Sequence, residues 1–135
     1  MLLINVTGCN GRKAALLKRA AEFAFYTLMP RVQNFVGIDI VVEENLDVSA
    51  YEVMIGEREF EITINKEETG DDLLTAVFHE VVHVVQDLRR WKRELSDGRM
   101  MWFNEDHTKT TYYNQPWEKQ AYELQEEILE KWQKK

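Results

Sequence analysis

The sequence predicts an α+β domain in which an N-terminal helix packs on a small, mainly antiparallel sheet and two further helices follow. Three observations predict this class. Three segments have apolar residues at steps of three and four, as helices do. Between the first and the second of these segments, apolar and polar residues alternate with period two, as in strands. Turn-forming residues separate the segments. The 135 residues, 44% of them hydrophobic, are enough for one packed core, so we predict a single domain over residues 1–135.

The N-terminal third begins with a strand and a helix. Leu2 to Val6 is a short, partly β-branched apolar run, and the Gly8 to Gly11 segment then breaks the pattern. Asn10 is a good N-cap for the helix that follows. Helical spacing extends from Arg12 to Met29, and Pro30 ends it. We expect this helix to pack on the sheet.

Three strands are predicted next. Residues 38–43, 51–55 and 60–64 each alternate between the two faces with period two. Gly56-Glu57-Arg58 has the composition of a turn. The second and third of these strands are therefore expected to pair as a hairpin.

The chain is acidic, and most of its excess charge lies in one stretch. Its formal net charge is −7, and a non-specific nucleic-acid binder would more often be basic, so no nucleic-acid partner is expected. Between Val36 and Asp72 stand twelve acidic and two basic residues, a net of 2 − 12 = −10. A solvated sheet face explains this stretch, and repulsion of acidic substrates is the functional alternative.

Neither a membrane segment nor a signal peptide is expected. No apolar run approaches the roughly 18 residues that a membrane-spanning helix needs, and no basic residue precedes the short apolar start MLLINV. The single cysteine, Cys9, cannot form an internal disulfide and fits a reducing compartment. The sequence therefore predicts a cytoplasmic protein and leaves its oligomeric state open.

The second half of the chain contains the second helix and a turn. Thr69 with Asp72 three residues later has the spacing of a capping box, and Leu73 to Trp91 is the predicted helix. Ser96-Asp97-Gly98 predicts a turn, and Arg99 to Phe103 a short strand.

This second helix carries the sequence His79-Glu80-Val81-Val82-His83, an HExxH motif on a helix. At 100° per residue the two imidazoles lie about 40° apart on one face, close enough to share a metal ion. Glu80 is rotated to the side where a metal-held water could lie. The opposite arc is apolar and consists of Leu74, Val77, Phe78, Val81, Val84, Val85 and Leu88.

A catalytic zinc site needs a third protein ligand. The metzincin pattern HExxHxxGxxH is excluded, because Gln86 and Arg89 stand where it needs Gly and His. A Glu from a later helix is the alternative, and the last helix, which begins at Asn114-Gln115-Pro116, offers Glu118 in its first turn.

Glu118 is the preferred third ligand because it lies beside the apolar stripe of the last helix and points partly inward. His107, in the preceding loop, is the main rival. Glu123, Asp87 or no third ligand at all remain further alternatives. Gln86, on the same arc as the histidines, is either a hydrogen-bond partner of a ligand or a solvated residue.

Three segments of the chain carry a resemblance to a family. HEVVHVVQ, then RMMWFN, then YYNQPWEKQAYE resemble the small phage-encoded and bacterial zinc metallopeptidases, whose pattern is HExVHxxQ, a Trp-containing hairpin, and Tyr followed by PWExEA. The order of helix, three strands, metal helix and closing helix is similar too, so the likeness covers most of the chain. One departure is Gln120, where the family often has Glu.

The resemblance implies a minimal zincin of the gluzincin type, with one zinc ion on His79, His83 and Glu118. The expected function is a zinc-dependent peptidase, acting in the host cytoplasm if phage-encoded, with a peptide or protein substrate and no membrane partner. Glu80 is the expected general base. By chain position the nearby donors to the oxyanion are Tyr112, Tyr113 and His107, of which Tyr113 is slightly preferred, and packing is the alternative role of a Tyr before a helix.

Two other function classes remain open at this point. One is a non-catalytic zincin-fold protein that binds zinc or a partner, and the other is a zinc hydrolase acting on another bond. An intact Glu80 favours catalysis, because a purely structural metal site has no chemical need for a carboxylate beside its ligands.

Overall fold

Three helices and seven strands form in the computed structural model, which describes residues 1–135. The helices are α1 (Gly11–Leu28), α2 (Gly70–Leu88) and α3 (Pro116–Lys134), and a short 3-10 helix, Tyr112–Asn114, precedes α3. The strands are β1 (Leu2–Thr7), β2 (Val36–Glu43), β3 (Ala50–Gly56), β4 (Glu59–Asn65), β5 (Lys92–Glu94), β6 (Met100–Trp102) and β7 (Glu105–Asp106). The predicted α+β class is confirmed.

The main sheet has four strands in the order β1-β2-β4-β3 and is mixed, so the prediction of a mainly antiparallel sheet is wrong. β1 with β2 and β2 with β4 pair in parallel, and only the predicted hairpin of β3 and β4 is antiparallel. The physical reason is the connection through α1, which returns the chain to the same end of the sheet before β2 begins. Period-two alternation does not report strand direction.

The turn between β1 and α1 fixes how this connection begins. Gly8 has a φ of +88°, and a Cβ added there would collide with the backbone carbonyl of Val42. Only glycine fits such a place. Asn10 then caps α1, because its side-chain oxygen accepts a hydrogen bond of 2.9 Å from the backbone N–H of Lys13.

The start of α2 differs from the prediction in one respect. Thr69 occupies the N-cap position, but its side chain makes no capping hydrogen bond, so the capping box is not formed. Asp71 and Asp72 lie in the first turn instead. There their negative charge interacts favourably with the exposed N–H groups of the helix end.

The core lies between the sheet and the helices, with α2 at its centre. The inward residues of β2 and β4 are fully or almost fully buried, as are the small residues of α1 that let it approach α2. α2 is buried on both sides, including His79, Glu80, His83 and Gln86. The polar arc of α2 therefore faces α3 and a cleft rather than bulk water. None of the helices has the length and apolar character needed to span a membrane.

A small antiparallel sheet, β5-β6-β7, follows α2. It brings aromatic side chains against the start of α3: the ring centroid of Trp117 lies 6.5 Å from that of Trp102 and 6.2 Å from that of His107. Trp117, only 4% exposed, thereby anchors the first turn of α3. The next residue in that turn is Glu118.

Replacement of Trp117 by Ala is expected to lower the free energy of unfolding by about 3–5 kcal/mol, because it leaves a large cavity under α3. Urea unfolding followed by circular dichroism measures this. A Tyr113→Ala change is the matched control, since that aromatic side chain is 79% exposed and its removal should cost less than about 0.5 kcal/mol. Equal losses for the two variants would contradict the anchoring role.

Candidate metal centre

Two turns of α2 face the first turn of α3 and bring three metal-binding side chains together. His79 Nε2 lies 2.9 Å from Glu118 Oε1, and His83 Nε2 lies 3.2 Å from Glu118 Oε2. The donor atoms of the three residues all lie within 4.8 Å of one another. The structure therefore groups the two motif histidines with the Glu that the sequence favoured as third ligand.

The outer nitrogen of each histidine is held by a glutamine. His79 Nδ1 lies 2.8 Å from Gln125 Oε1, and His83 Nδ1 lies 2.8 Å from Gln86 Oε1. An amide oxygen can only accept, so each Nδ1 carries the hydrogen and donates it. When a ring is neutral its lone pair is on Nε2, the nitrogen that faces the group of donors, as a metal ligand requires, and when the ring is protonated its Nε2–H donates to Glu118 instead.

Gln86 is itself fixed by α3. Its Nε2 donates to the backbone carbonyl of Trp117 at 3.0 Å and to Gln120 Oε1 at 2.9 Å. Gln86 is thus a buried partner of a candidate ligand, and the alternative of a solvated residue is wrong. Gln120 supplies an acceptor oxygen there, which a Glu at that position would also supply.

The ionisable side chains of this site are buried, and burial and their mutual contacts shift their pKa values. Burial raises the pKa of Glu118, but hydrogen bonds from His79 and His83 outweigh this and hold its pKa well below the usual range. Burial lowers the pKa of His79, whereas the bond to Glu118 and the charge of Glu80 reverse this, and the net shift is upward. Glu118 therefore stays ionised, as a metal ligand must.

Two of the three donor separations suit a tetrahedral cation. Around zinc with bonds of about 2.0–2.1 Å, neighbouring donor atoms lie about 3.3 Å apart. Glu118 Oε1 lies 2.9 Å from His79 Nε2 and 3.3 Å from His83 Nε2, so one carboxylate oxygen is at a suitable distance from both rings. Two imidazoles and one carboxylate leave the fourth position to the cleft beside them.

That cleft has a volume of about 800 Å³ and runs along α2. The candidate ligands His79, His83 and Glu118 line it together with Glu80. Glu80 is 6% exposed, and burial raises the pKa of its carboxyl. The arrangement places a buried carboxyl of raised pKa in the lining of the same cleft as the three candidate ligands.

The other candidates for the third ligand lie elsewhere. His107 Nδ1 bonds to Thr110 Oγ1 at 3.0 Å, and its ring rests against Trp117 outside the cleft. Asp87 faces the ammonium of Lys92 at 3.6 Å, and Glu123 is exposed. None of the three joins the group of donors formed with the motif histidines.

The tyrosine beside the site is Tyr112, not the Tyr113 that the sequence analysis preferred. Tyr112 lines the cleft, and its hydroxyl donates to Glu118 Oε1 at 3.1 Å. Tyr113, 79% exposed, is not among the residues that line the cleft. Tyr112 and Tyr113 point in different directions because they are adjacent residues at the start of the 3-10 helix.

Two residues near the site were missed by the sequence analysis. Gln125 holds His79, and the ring centroid of Tyr122 lies 4.6 Å from that of His79. Helical spacing from Glu118 could have predicted both, because Tyr122 lies four residues and Gln125 seven residues beyond it on the same face of α3.

Comparisons of this chain with protein-family models, with characterised proteins and with solved structures give no match.

The choice between Glu118 and His107 can be tested directly. Glu118→Gln is expected to weaken zinc binding by more than about tenfold, because the anionic ligand is replaced by a neutral amide of the same shape. His107→Ala is the control and should leave affinity unchanged. Titration against a fluorescent zinc indicator gives both values. Loss of zinc from the His107 variant alone would replace this site by a three-histidine one.

Proposed function

We propose that the protein is a zinc-dependent peptidase that hydrolyses a peptide bond with a metal-activated water. One observation carries the proposal. Two histidines, each held at Nδ1 by a glutamine, direct their Nε2 atoms at the same buried carboxylate, and Glu80 lines the same open cleft. A structural zinc site is normally closed by four protein ligands, whereas three ligands and an open position are typical of catalysis.

We also infer that the fold is a minimal zincin of the gluzincin type. In support, α2 carries the HExxH motif, α3 supplies the third ligand as Glu118, and α1 and the mixed sheet cover the opposite side of α2. Zinc is the metal we propose. Two histidines and a carboxylate are also a ligand set for ferrous iron, so the metal has to be measured.

Zinc bound there would lower the pKa of a water from about 16 towards 7 and polarise the substrate carbonyl. Glu80 takes the proton from the attacking water and delivers it to the leaving amine. Its buried position supports this role, because burial raises the pKa of its carboxyl towards that of an effective proton carrier.

Tyr112 is the proposed donor to the developing oxyanion. Burial and the neighbouring Tyr122 and Glu118 raise the pKa of its phenol above the usual range, so it remains a donor at neutral pH. Its hydroxyl lies 3.1 Å from Glu118 Oε1 and 3.3 Å from the Tyr122 hydroxyl. Rotation of this O–H towards a substrate exchanges its hydrogen bond to the Glu118 carboxylate for one to the developing oxyanion, and both are charge-assisted.

A diverse peptide library tests the proposal. The purified protein should contain about one zinc per chain by elemental analysis and should cleave a subset of peptides, with cleavage abolished by a chelator and restored by zinc. Iron in place of zinc would contradict the metal assignment. Tight zinc binding without cleavage of any peptide or protein tested would favour the non-catalytic zinc-binding alternative.

A further inference from the structure

The side-chain amide of Gln86 has only one orientation that satisfies its neighbours. Gln86 is fully buried, and its Nε2 donates one hydrogen to the backbone carbonyl of Trp117 at 3.0 Å and the other to Gln120 Oε1 at 2.9 Å. A backbone carbonyl can only accept. If the amide oxygen and nitrogen exchanged places, two oxygens would face each other away from water, and both bonds would be lost.

This orientation directs the oxygen of the Gln86 amide to His83. Gln86 Oε1 lies 2.8 Å from His83 Nδ1, so that nitrogen has to carry a hydrogen and donate it. A ring with its hydrogen on Nδ1 can bind a metal only through Nε2. The bonds from α3 to Gln86 therefore determine which nitrogen of His83 is available to a metal.

Gln120 completes this chain of hydrogen bonds on α3. It is half-buried and does not line the cleft, and its Oε1 is the side-chain acceptor for the Gln86 amide. Without this acceptor one hydrogen of a buried amide would have no partner, and the amide could turn away from His83 to find one. Gln120 can therefore affect the candidate metal site without touching it.

His79 is held by a glutamine in a different setting. Its Nδ1 also lies 2.8 Å from an amide oxygen, but Gln125 is half-buried and lines the cleft. The Gln125 amide donates only to its neighbour Glu126, through an exposed bond of 3.1 Å. Water in the cleft can take the place of the Gln125 oxygen, whereas the bond between Gln86 and His83 is buried. The two histidines therefore depend unequally on their glutamines.

We propose that Gln120 is a positioning residue, which acts through Gln86 to hold the imidazole of His83 with its hydrogen on Nδ1 and its Nε2 towards the candidate metal position. The site depends on Gln86 and Gln120 far more than on Gln125. This inference rests on the proposed metal centre and not on peptide cleavage. Position 120 requires a hydrogen-bond acceptor, which Glu would supply and Met would not.

Zinc affinity of full-length variants tests the role of the acceptor. Gln120→Met keeps the length of the side chain and removes the acceptor, so it should weaken zinc binding about three- to tenfold, as the loss of one hydrogen bond does. Gln86→Met loses the bond to His83 itself and should weaken zinc binding about 10–100-fold. Gln120→Glu retains an acceptor and should bind zinc at least as tightly as the wild type.

Two further changes of Gln to Met on α3 are the controls. Gln125→Met should alter zinc affinity less than about threefold, because water replaces its oxygen. Gln133→Met, at an exposed position near the end of α3, should leave the affinity unchanged. If Gln86→Met does not fold, Gln120→Met against Gln120→Glu still decides, because that side chain is only half-buried.

Hydrogen exchange at the imidazoles separates positioning from a general loss of structure. With isotopically labelled histidine, the hydrogen on His83 Nδ1 should exchange slowly with solvent and that on His79 Nδ1 faster, because only the second bond borders the cleft. Gln120→Met should speed exchange at His83 alone, Gln125→Met at His79 alone, and Gln120→Glu at neither. The measurement is made with zinc, and without it at about pH 5, where an imidazole carries both hydrogens.

Three results would overturn the inference. They are equal zinc affinity in Gln120→Met and Gln120→Glu, a loss in Gln125→Met as large as that in Gln86→Met, and equal acceleration of exchange at both histidines in Gln120→Met. A wild type that binds no zinc but shows the expected exchange pattern without it supports the positioning of His83 and overturns the proposed metal centre. Zinc binding by the wild type, with exchange at His83 unaltered in Gln120→Met, does the reverse.

Discussion

A His83→Ala variant is expected to lose zinc almost completely. His83 supplies one of three ligands, and its Nε2 lies 3.2 Å from the carboxylate of Glu118 with which it would share the metal. The two remaining candidate ligands should bind zinc more weakly by well over about a hundredfold. Elemental analysis after dialysis against a zinc buffer measures the stoichiometry.

The same variant should also lose the stabilisation that zinc gives to the wild type. A ligand that binds only the folded state stabilises it by about 4 kcal/mol at a free concentration 1,000 times Kd. The melting temperature of the wild type should therefore rise with added zinc, and that of His83→Ala should not. His107→Ala removes an equivalent ring outside the site and should behave as the wild type does. Full zinc content in His83→Ala would mean that the ligand assignment is wrong.

The candidate ligands could be predicted because the information is local. His79 and His83 are four residues apart on one helix, and helical geometry alone puts their rings together. The prediction of Glu118 also required its position beside Trp117 at the start of an amphipathic helix. Periodicity determines which way such a residue points once the helix is assigned.

The wrong or missing parts depend on contacts between elements distant in the chain. The direction of β2 relative to β1 follows from how α1 crosses the sheet, and alternation is the same for either direction. Which of the adjacent Tyr112 and Tyr113 lines the cleft depends on how the 3-10 helix packs on α3. No spacing rule gives that packing.

Within one strand of the acidic stretch, the burial of a side chain also depends on contacts with elements distant in the chain. The alternation in β3 puts Tyr51, Val53 and Ile55 on the face opposite to Glu52. These apolar side chains are exposed, whereas the Glu52 side chain is only 3% exposed. It is buried because β3 lies against α2 at the cleft and Lys92 closes over it. A residue's face follows from its strand, but its exposure depends on what packs on that face.

Glu80→Gln separates catalysis from metal binding. Glu80 is not among the three grouped donors, so the variant should keep its zinc, its fold and its melting temperature. The amide has nearly the same shape as the carboxyl but cannot take a proton from water, so the rate of peptide cleavage should fall by about 10²–10⁴-fold. Initial rates on the best library peptide, with zinc content measured on the same sample, give the comparison. Glu123→Gln, an exposed change of the same kind on α3, is the control and should retain the full rate. If Glu80→Gln cleaves as fast as the wild type while holding its zinc, then Glu80 is not the base, and the observed cleavage belongs to another group or to a contaminating protease.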